Sequence, residues 1–355
     1  MQNALRDMTI DYVELYVDDI ERNLAWLVGG CGFVVRAVSA PAGGTTRSVD
    51  VGQGEIDLVL TESGEDHPAH AYVARHGDGI GDIGIRVPDA AAAFAEAVRR
   101  GVRPVMAPVT RGAVTIAKIA GFGDVTHTFV QRPDDAVVAD VLGLVTVPET
   151  GAAPGTGLQK VDHFAIPVEA GRMDETVEYY QRTLDFELIL TERIVTGDQG
   201  MFIKVIQSQS RAVTFTLVES DTSLAVGQVD RFLKDNDGSG VQHMAFSTTD
   251  ILSTVRQLTV DGIELLTTPD AYYTALANRV RPEKYSVDEL RDLDILVDED
   301  HDGQLYQIFA KSVHPRNTLF LEIIERAGAT SFGSSNIKHL YDSVEAHQVP
   351  DATAD

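Results

Sequence analysis

Cysteine is nearly absent: Cys31 is the only one among 355 residues. That excludes an intramolecular disulfide and any cysteine-based zinc site, so a metal on this chain has to be held by histidine and carboxylate. Basic residues are scarce beside acidic ones. Twenty-nine Lys and Arg stand against 54 Asp and Glu, a formal net charge of −25. The basic footprint that nucleic-acid binding needs is missing, and the same charge disfavours anionic membrane surfaces; we read the acidity as solubility. Long apolar runs are missing too, and no stretch approaches the roughly 20 residues of a membrane span. The opening MQNALRDMTIDYVELYV has no basic segment leading into a continuous apolar one, so a cytoplasmic protein is expected. There is no P-loop and no GxSxG elbow. HGDGIG at 76–81 follows a helical stretch and precedes a strand, the reverse of the Rossmann order.

What is present is a core and a repeat. The hydrophobic fraction is 44%, ample for burial, and at about 150 residues per domain the length fits two domains. IDYVELYVDDI at 10–20 parallels VDHFAIPVEAG at 161–171. GIGDIGIRVPDAAAAFAEAV at 79–98 parallels GVQHMAFSTTDILSTVRQL at 240–258, each with an Asp placed to cap a helix. VTHTFVQR at 125–132 parallels LFLEIIER at 319–326. Each unit reads strand, helix, then two or three strands. In the third unit the patterns predict a strand at 161–168, a helix near 173–184, and strands near 187–194, 201–207 and 213–219. The Pro- and Gly-rich stretch 147–159 reads as the join between halves, giving domains 1–148 and 160–355 with 149–159 as linker.

The repeat singles out three residues. His163 sits in an apolar run, where a lone His is usually a satisfied core residue. Unit by unit, His163 corresponds to Tyr12, His243 to Asp82 and Glu322 to Thr128. The C-terminal half therefore carries His, His and Glu at matching positions. That is the two-His-one-carboxylate set of non-haem Fe(II) sites, and the N-terminal half reads as a duplicate without the metal. Glu325 is the rival acid, but three residues along a strand it faces the other way from Glu322. DEDHDG at 298–303 opens like a calcium loop, yet its twelfth position is Phe309 instead of Glu, so it reads as a hairpin turn. His67, His70 and His76 fall in a connecting segment and are expected to be exposed.

VDHFAIPV, VEYYQRTLDF, FLKDNDGSGVQHMAF, TPDAYYTAL, the stretch from ILVDEDHDG to TLFLEIIER, and FGSSNIKHLY together resemble the 4-hydroxyphenylpyruvate dioxygenase and 4-hydroxymandelate synthase family of the vicinal-oxygen-chelate superfamily, over nearly the whole chain. The resemblance implies an α+β fold of paired βαβββ modules forming two open barrel-like domains. It implies Fe(II) on His163, His243 and Glu322, a C-terminal helix as lid, and an aryl 2-oxo acid and O2 as small-molecule partners; a homodimer is one option for the assembly, which the sequence leaves open, and no membrane or nucleic-acid partner is expected. The substrate carries its own reductant, because its decarboxylation supplies the electrons. The dioxygenases then hydroxylate the ring and give homogentisate; the synthases hydroxylate the benzylic carbon and give 4-hydroxymandelate.

Two departures favour the synthase. The dioxygenases end in a GFG-x-GNF pattern, where this chain has SFGSSNI, placing Ile337 where they have Phe. They also show Pro and Asn at the places of Thr216 and Val218. A third departure sets the chain apart from both branches, since Ile203 stands where they have Ser. It opens the alternative of phenylpyruvate or another apolar 2-oxo acid. The same mapping implies a pocket of Ile203, Thr216, Val218, Gln307, Phe309, Phe332, Asn336 and Ile337, and the setting of a synthase would be the supply of an arylglycine antibiotic precursor. The homogentisate-forming dioxygenase stays open as second reading, and a metal-dependent isomerase, lyase or binding protein of the same fold as third.

Overall fold

In the computed structural model the described residues are 4–40, 45–148, 155–276, 279–333 and 336. The expected terminal helix, with Ile337, lies outside them. The first half forms β1 Thr9–Tyr16, β2 Val34–Val38, β3 Arg47–Gln53, β4 Ile56–Glu62, β5 Gly79–Arg86, β6 Pro104–Arg111, β7 Val114–Ala120, β8 Thr126–Gln131 and β9 Val145–Thr146. The second forms β10 Val161–Val168, β11 Glu187–Thr196, β12 Gln199–Gln207, β13 Thr214–Ser220, β14 His243–Ser247, β15 Leu296–Glu299, β16 Gln304–Phe309 and β17 Phe320–Ala327. The sheets run β6-β7-β8-β5-β1-β4-β3-β2-β9 and β11-β12-β13-β10-β14-β17-β16-β15. Both are open and mixed, as the α+β reading of paired βαβββ modules expects. Among the described residues no helix is long and apolar enough to cross a membrane.

The alternating pattern decides which way each strand faces. On β10, Phe164, Ile166 and Val168 join one apolar cluster with Val13 and Leu15 of β1 and with Phe246 of β14. The main core thus lies between the two sheets, where Phe33 meets Phe246 at 5.9 Å. The intervening residues of β10, His163 and Ala165, turn to the other, concave face. Helices Ala90–Arg99 and Ile251–Val260 start where their aspartates cap them: Asp89 accepts from the Ala92 N–H, and Asp250 from the Ser253 N–H. The helix Met173–Leu184 packs against β11, β12 and β13.

His76 departs from expectation. It ends the helix Pro68–His76 and is buried, with Nδ1 on the Asn236 carbonyl and Nε2 on Asp124 at 3.0 Å. A histidine is exposed in a connecting segment only when nothing packs on that segment; here the opposite half does.

Candidate metal centre and substrate pocket

The three singled-out residues meet because of strand register. β10 pairs antiparallel with β14, setting His163 opposite Ala245 and Ala165 opposite His243. β14 pairs in parallel with β17, setting Ala245 beside Glu322. His163 and Glu322 therefore flank a small Ala245 from the two neighbouring strands, each strand about 4.8 Å away. His243, two residues before Ala245, shares its face. His163 Nε2 lies 3.3 Å and His243 Nε2 3.2 Å from the same Glu322 Oε2. Their ligand atoms all lie within 4.8 Å of one another.

The first half repeats this register. Tyr12 lies opposite Gly84 and Gly84 beside Thr128, with Asp82 two residues earlier on β5. Tyr12 and Thr128 both donate to Asp82 Oδ2, at 2.9 and 2.6 Å. Lys118, which pairs with Thr128 as Phe309 pairs with Glu322, sets its ammonium 3.4 Å from the same oxygen. A Cβ at position 84 would run into the Tyr12 ring, so the larger side chain at 12 demands glycine where the second half has Ala245. The cluster contains no imidazole, and its cation is internal.

Charge in the triad is tightly balanced. Burial alone would raise the Glu322 pKa, but the two imidazoles outweigh it and hold the carboxyl at about 2. Burial pushes His163 down, yet Glu322 and Asp162 overcome this and lift it to about 9. His243 stays below its ordinary value because burial exceeds what Glu322 returns. A buried carboxylate kept ionised needs positive charge beside it, and the two imidazoles aim their Nε2 atoms at the place where that charge belongs. Two ring nitrogens and one carboxylate oxygen, pre-aimed at one another inside a buried pocket, fit a divalent first-row metal that would take over that charge.

Sequence reasoning missed how the first ligand is oriented. His163 Nδ1 bonds Asp162 Oδ1 at 2.9 Å, which directs Nε2 inward. Arg326 grips both Asp162 oxygens at 2.8 Å. The adjacency in VDH was the available signal; the Arg lies 164 residues away. Glu325 serves the other face, accepting from the Ile251 N–H at 2.9 Å and the Tyr285 hydroxyl at 2.7 Å, with Lys284 beside it.

The triad opens into a pocket lined by Ile203, Thr216, Val218, Gln307, Phe309 and Phe332, together with Met201 and Gln242, which sequence reasoning had not named. Phe332 stands edge-on to His163 at 5.1 Å, and Phe309 edge-on to His243 at 5.8 Å. Ile203 pairs with Val218 across β12 and β13, and with Met201 and Phe332 they belong to one apolar cluster. Besides Nδ1 of the ligand His243, two polar atoms of the lining residues, Thr216 Oγ1 and Gln307 Oε1, are buried with no hydrogen-bond partner among the described residues. Asn336, also expected in the pocket, is buried: its Oδ1 accepts from the Tyr272 hydroxyl at 3.0 Å, and its Nδ2 has no hydrogen-bond partner among the described residues.

Comparison with known proteins agrees with this geometry. Residues 3–141 match the family profile described as hydroxyphenylpyruvate dioxygenase, N-terminal, and residues 160–308 match that of the glyoxalase/bleomycin resistance protein/dioxygenase superfamily. The 4-hydroxyphenylpyruvate dioxygenase of Pseudomonas aeruginosa is 31% identical, covering 84% of this chain and 82% of its own. The enzyme of that name from Yarrowia lipolytica is 28% identical over 95% and 91%. A solved triple mutant of 4-hydroxymandelate synthase from Streptomyces coelicolor superposes with a TM-score of 0.86, at 37% identity over 96% of this chain and 99% of its own.

Proposed function

The chain belongs to the 4-hydroxyphenylpyruvate dioxygenase and 4-hydroxymandelate synthase family of the vicinal-oxygen-chelate superfamily, an Fe(II)-dependent group acting on aryl 2-oxo acids, and from that premise we propose that it is of the synthase type. In this reading it converts 4-hydroxyphenylpyruvate and O2 to 4-hydroxymandelate and CO2. Residues 160–355 form the catalytic domain and 1–148 its metal-free partner. The observation that carries the reading is the convergence of His163 and His243 on one oxygen of Glu322 at the head of a buried pocket. His163, His243 and Glu322 would hold the iron, which supplies O2 activation and oxidative decarboxylation when bound.

The remaining work falls to this chain's side chains. Asp162 keeps the proton of His163 on Nδ1, so that Nε2 offers a lone pair. Phe309 and Phe332 flank the two imidazoles and keep water away from the reacting end. Thr216 and Gln307 bring the two unpartnered polar atoms, which a bound substrate would satisfy. The synthase branch is favoured by the 37% identity to that enzyme, against 28% and 31% for the two dioxygenases compared. Thr216 and Val218 stand in the pocket where dioxygenases have Pro and Asn, and the third marker, Ile337, lies outside the described residues. A second reading, phenylpyruvate as substrate, is favoured by one observation: Ile203, paired with Val218, puts an apolar side chain where both branches have the hydroxyl of Ser.

The test supplies purified protein with Fe(II), ascorbate and O2, and offers 4-hydroxyphenylpyruvate and phenylpyruvate separately. 4-Hydroxymandelate and homogentisate are isomers, so chromatography against standards must accompany mass. Homogentisate as the product would overturn the synthase branch and leave the family intact.

A further inference from the structure

The hairpin turn joining β15 to β16 carries the acidic run 298–303, which the proposed chemistry leaves without a role. Its Asp300 has no oxygen to spare for a cation. Oδ1 accepts the N–H groups of Asp302 and Gly303 at 2.8 and 3.1 Å. Oδ2 accepts those of Thr330 and Ser331 at 2.8 and 2.7 Å. Asp302 adds a bond from the Thr330 hydroxyl at 3.0 Å. The approach is close enough that a side chain at Gly303 would run into the Ala327 carbonyl. The turn is therefore fastened to the backbone that follows β17.

The same segment is gripped from its other edge. Arg326 Nη1 donates to the carbonyls of Ala329 and Ser331 at 3.2 and 2.6 Å, while its Nε and Nη2 hold Asp162. Its guanidinium carbon lies 4.9 Å from the centroid of the Phe332 ring. The next residue in the chain after this double grip is Phe332, the ring that stands on His163.

We propose that Asp300 and Arg326 are positioning residues that seat Phe332 against His163, so that an acidic turn outside the pocket controls how well the pocket is closed. This rests on reading the triad as the reacting centre. Asp300 holds the N–H side of residues 330–331 and Arg326 the carbonyl side. Arg326 also ties that segment to Asp162, hence to the orientation of the first imidazole. A loosened Phe332 would admit water and weaken the packing of the substrate ring, without removing a metal ligand.

The test is D300N in the full chain, which sets an amide NH2 against backbone N–H donors. Amide hydrogen exchange at residues 330–332 should accelerate. KM for the 2-oxo acid should rise about tenfold, the equivalent of one lost interaction of ~1.4 kcal/mol, with O2 consumed in excess of hydroxylated product and kcat changed less. H301A, at an exposed neighbour, should behave as the parent. F332A should show the same KM as F332A/D300N, because the second change has nothing left to misplace. R326K, which cannot hold Asp162 and two carbonyls together, should follow D300N and also weaken Co(II) binding. D300N with faster exchange but unchanged KM and coupling overturns the proposal, as does a D300N penalty undiminished in the F332A background. If the parent turns over no 2-oxo acid, the functional reading fails, and the clamp is judged by exchange alone: unchanged exchange at 330–332 in D300N sinks it.

Discussion

Acid should loosen the seam between the two halves through one histidine. His127 of β8 is buried, its Nε2 bonded to the Tyr180 hydroxyl at 2.7 Å and its ring stacked on Phe215 of β13 at 5.7 Å and 13°. Its Nδ1 has no partner among the described residues. Burial disfavours the imidazolium, Asp82 returns part of that, and the pKa falls from 6.5 to about 4. The folded state then refuses a proton that the unfolded chain accepts. The contribution of the neutral ring is whole above pH 6.5, shrinks as pH falls, and is fully lost below about 4. A shift of that size amounts to about 3 kcal/mol at 1.36 kcal/mol per unit. Urea unfolding of the metal-loaded parent and of H127Q, measured at intervals from pH 7 to 4, isolates the term, because every other titrating group is common to both. The parent should lose about 3 kcal/mol more than the variant across this window. Parallel losses would refute the claim that His127 is held neutral.

Three further outcomes are expected. E322Q removes the charge that balances the two imidazoles and should lower divalent-metal affinity at least a hundredfold, while D162N, which only disorients His163, should cost 10- to 100-fold; equilibrium dialysis with Co(II) reads both. K118M leaves Glu14 and Asp82 buried without their cation and should destabilise by roughly 3–5 kcal/mol in thermal or urea melts, part of it recovered in K118M/D82N. I203S places a hydroxyl opposite Val218 and should raise the ratio of kcat/KM for 4-hydroxyphenylpyruvate over phenylpyruvate about tenfold, one added hydrogen bond of ~1.4 kcal/mol; an unmoved ratio would show that this wall does not face the distal ring.

What could be read from the sequence was whatever is encoded locally or repeated. The strand at 161–168 and the helix at 173–184 are observed as Val161–Val168 and Met173–Leu184, because alternation and helical spacing survive in single segments. Asp89 and Asp250 cap helices because a cap needs only its next three residues. Long-range partners leave no such trace. Nothing near His76 announces Asn236, 160 positions away, and nothing near Asp300 announces the N–H groups of Thr330 and Ser331. Nor does the motif that placed Asn336 in the pocket announce Tyr272, whose hydroxyl donates to its Oδ1 from 64 positions away.

The two halves show two ways of holding a buried carboxylate in the same strand register. Both keep a carboxylate deep in the concave face, on neighbouring strands of the same register: Glu322 beside Ala245, and Asp82 two residues before Gly84. A buried carboxylate demands positive charge in either half. The second half meets the demand with two imidazoles, which hold a proton or exchange it for a divalent ion while leaving coordination positions open to a ligand. The first half meets it with Lys118, whose ammonium cannot be exchanged and whose stem occupies the position of Phe309. Burial pushes the Lys118 pKa down, yet Asp82 and Glu14 outweigh it and hold the amine charged. Two hydroxyls, from Tyr12 and Thr128, then saturate the Asp82 oxygen that in the other half would face a metal. Tyr in place of His163, Thr in place of Glu322 and Asp in place of His243 would by themselves leave the Asp82 anion without a counter-ion, so the lysine is the change that makes the first half stable.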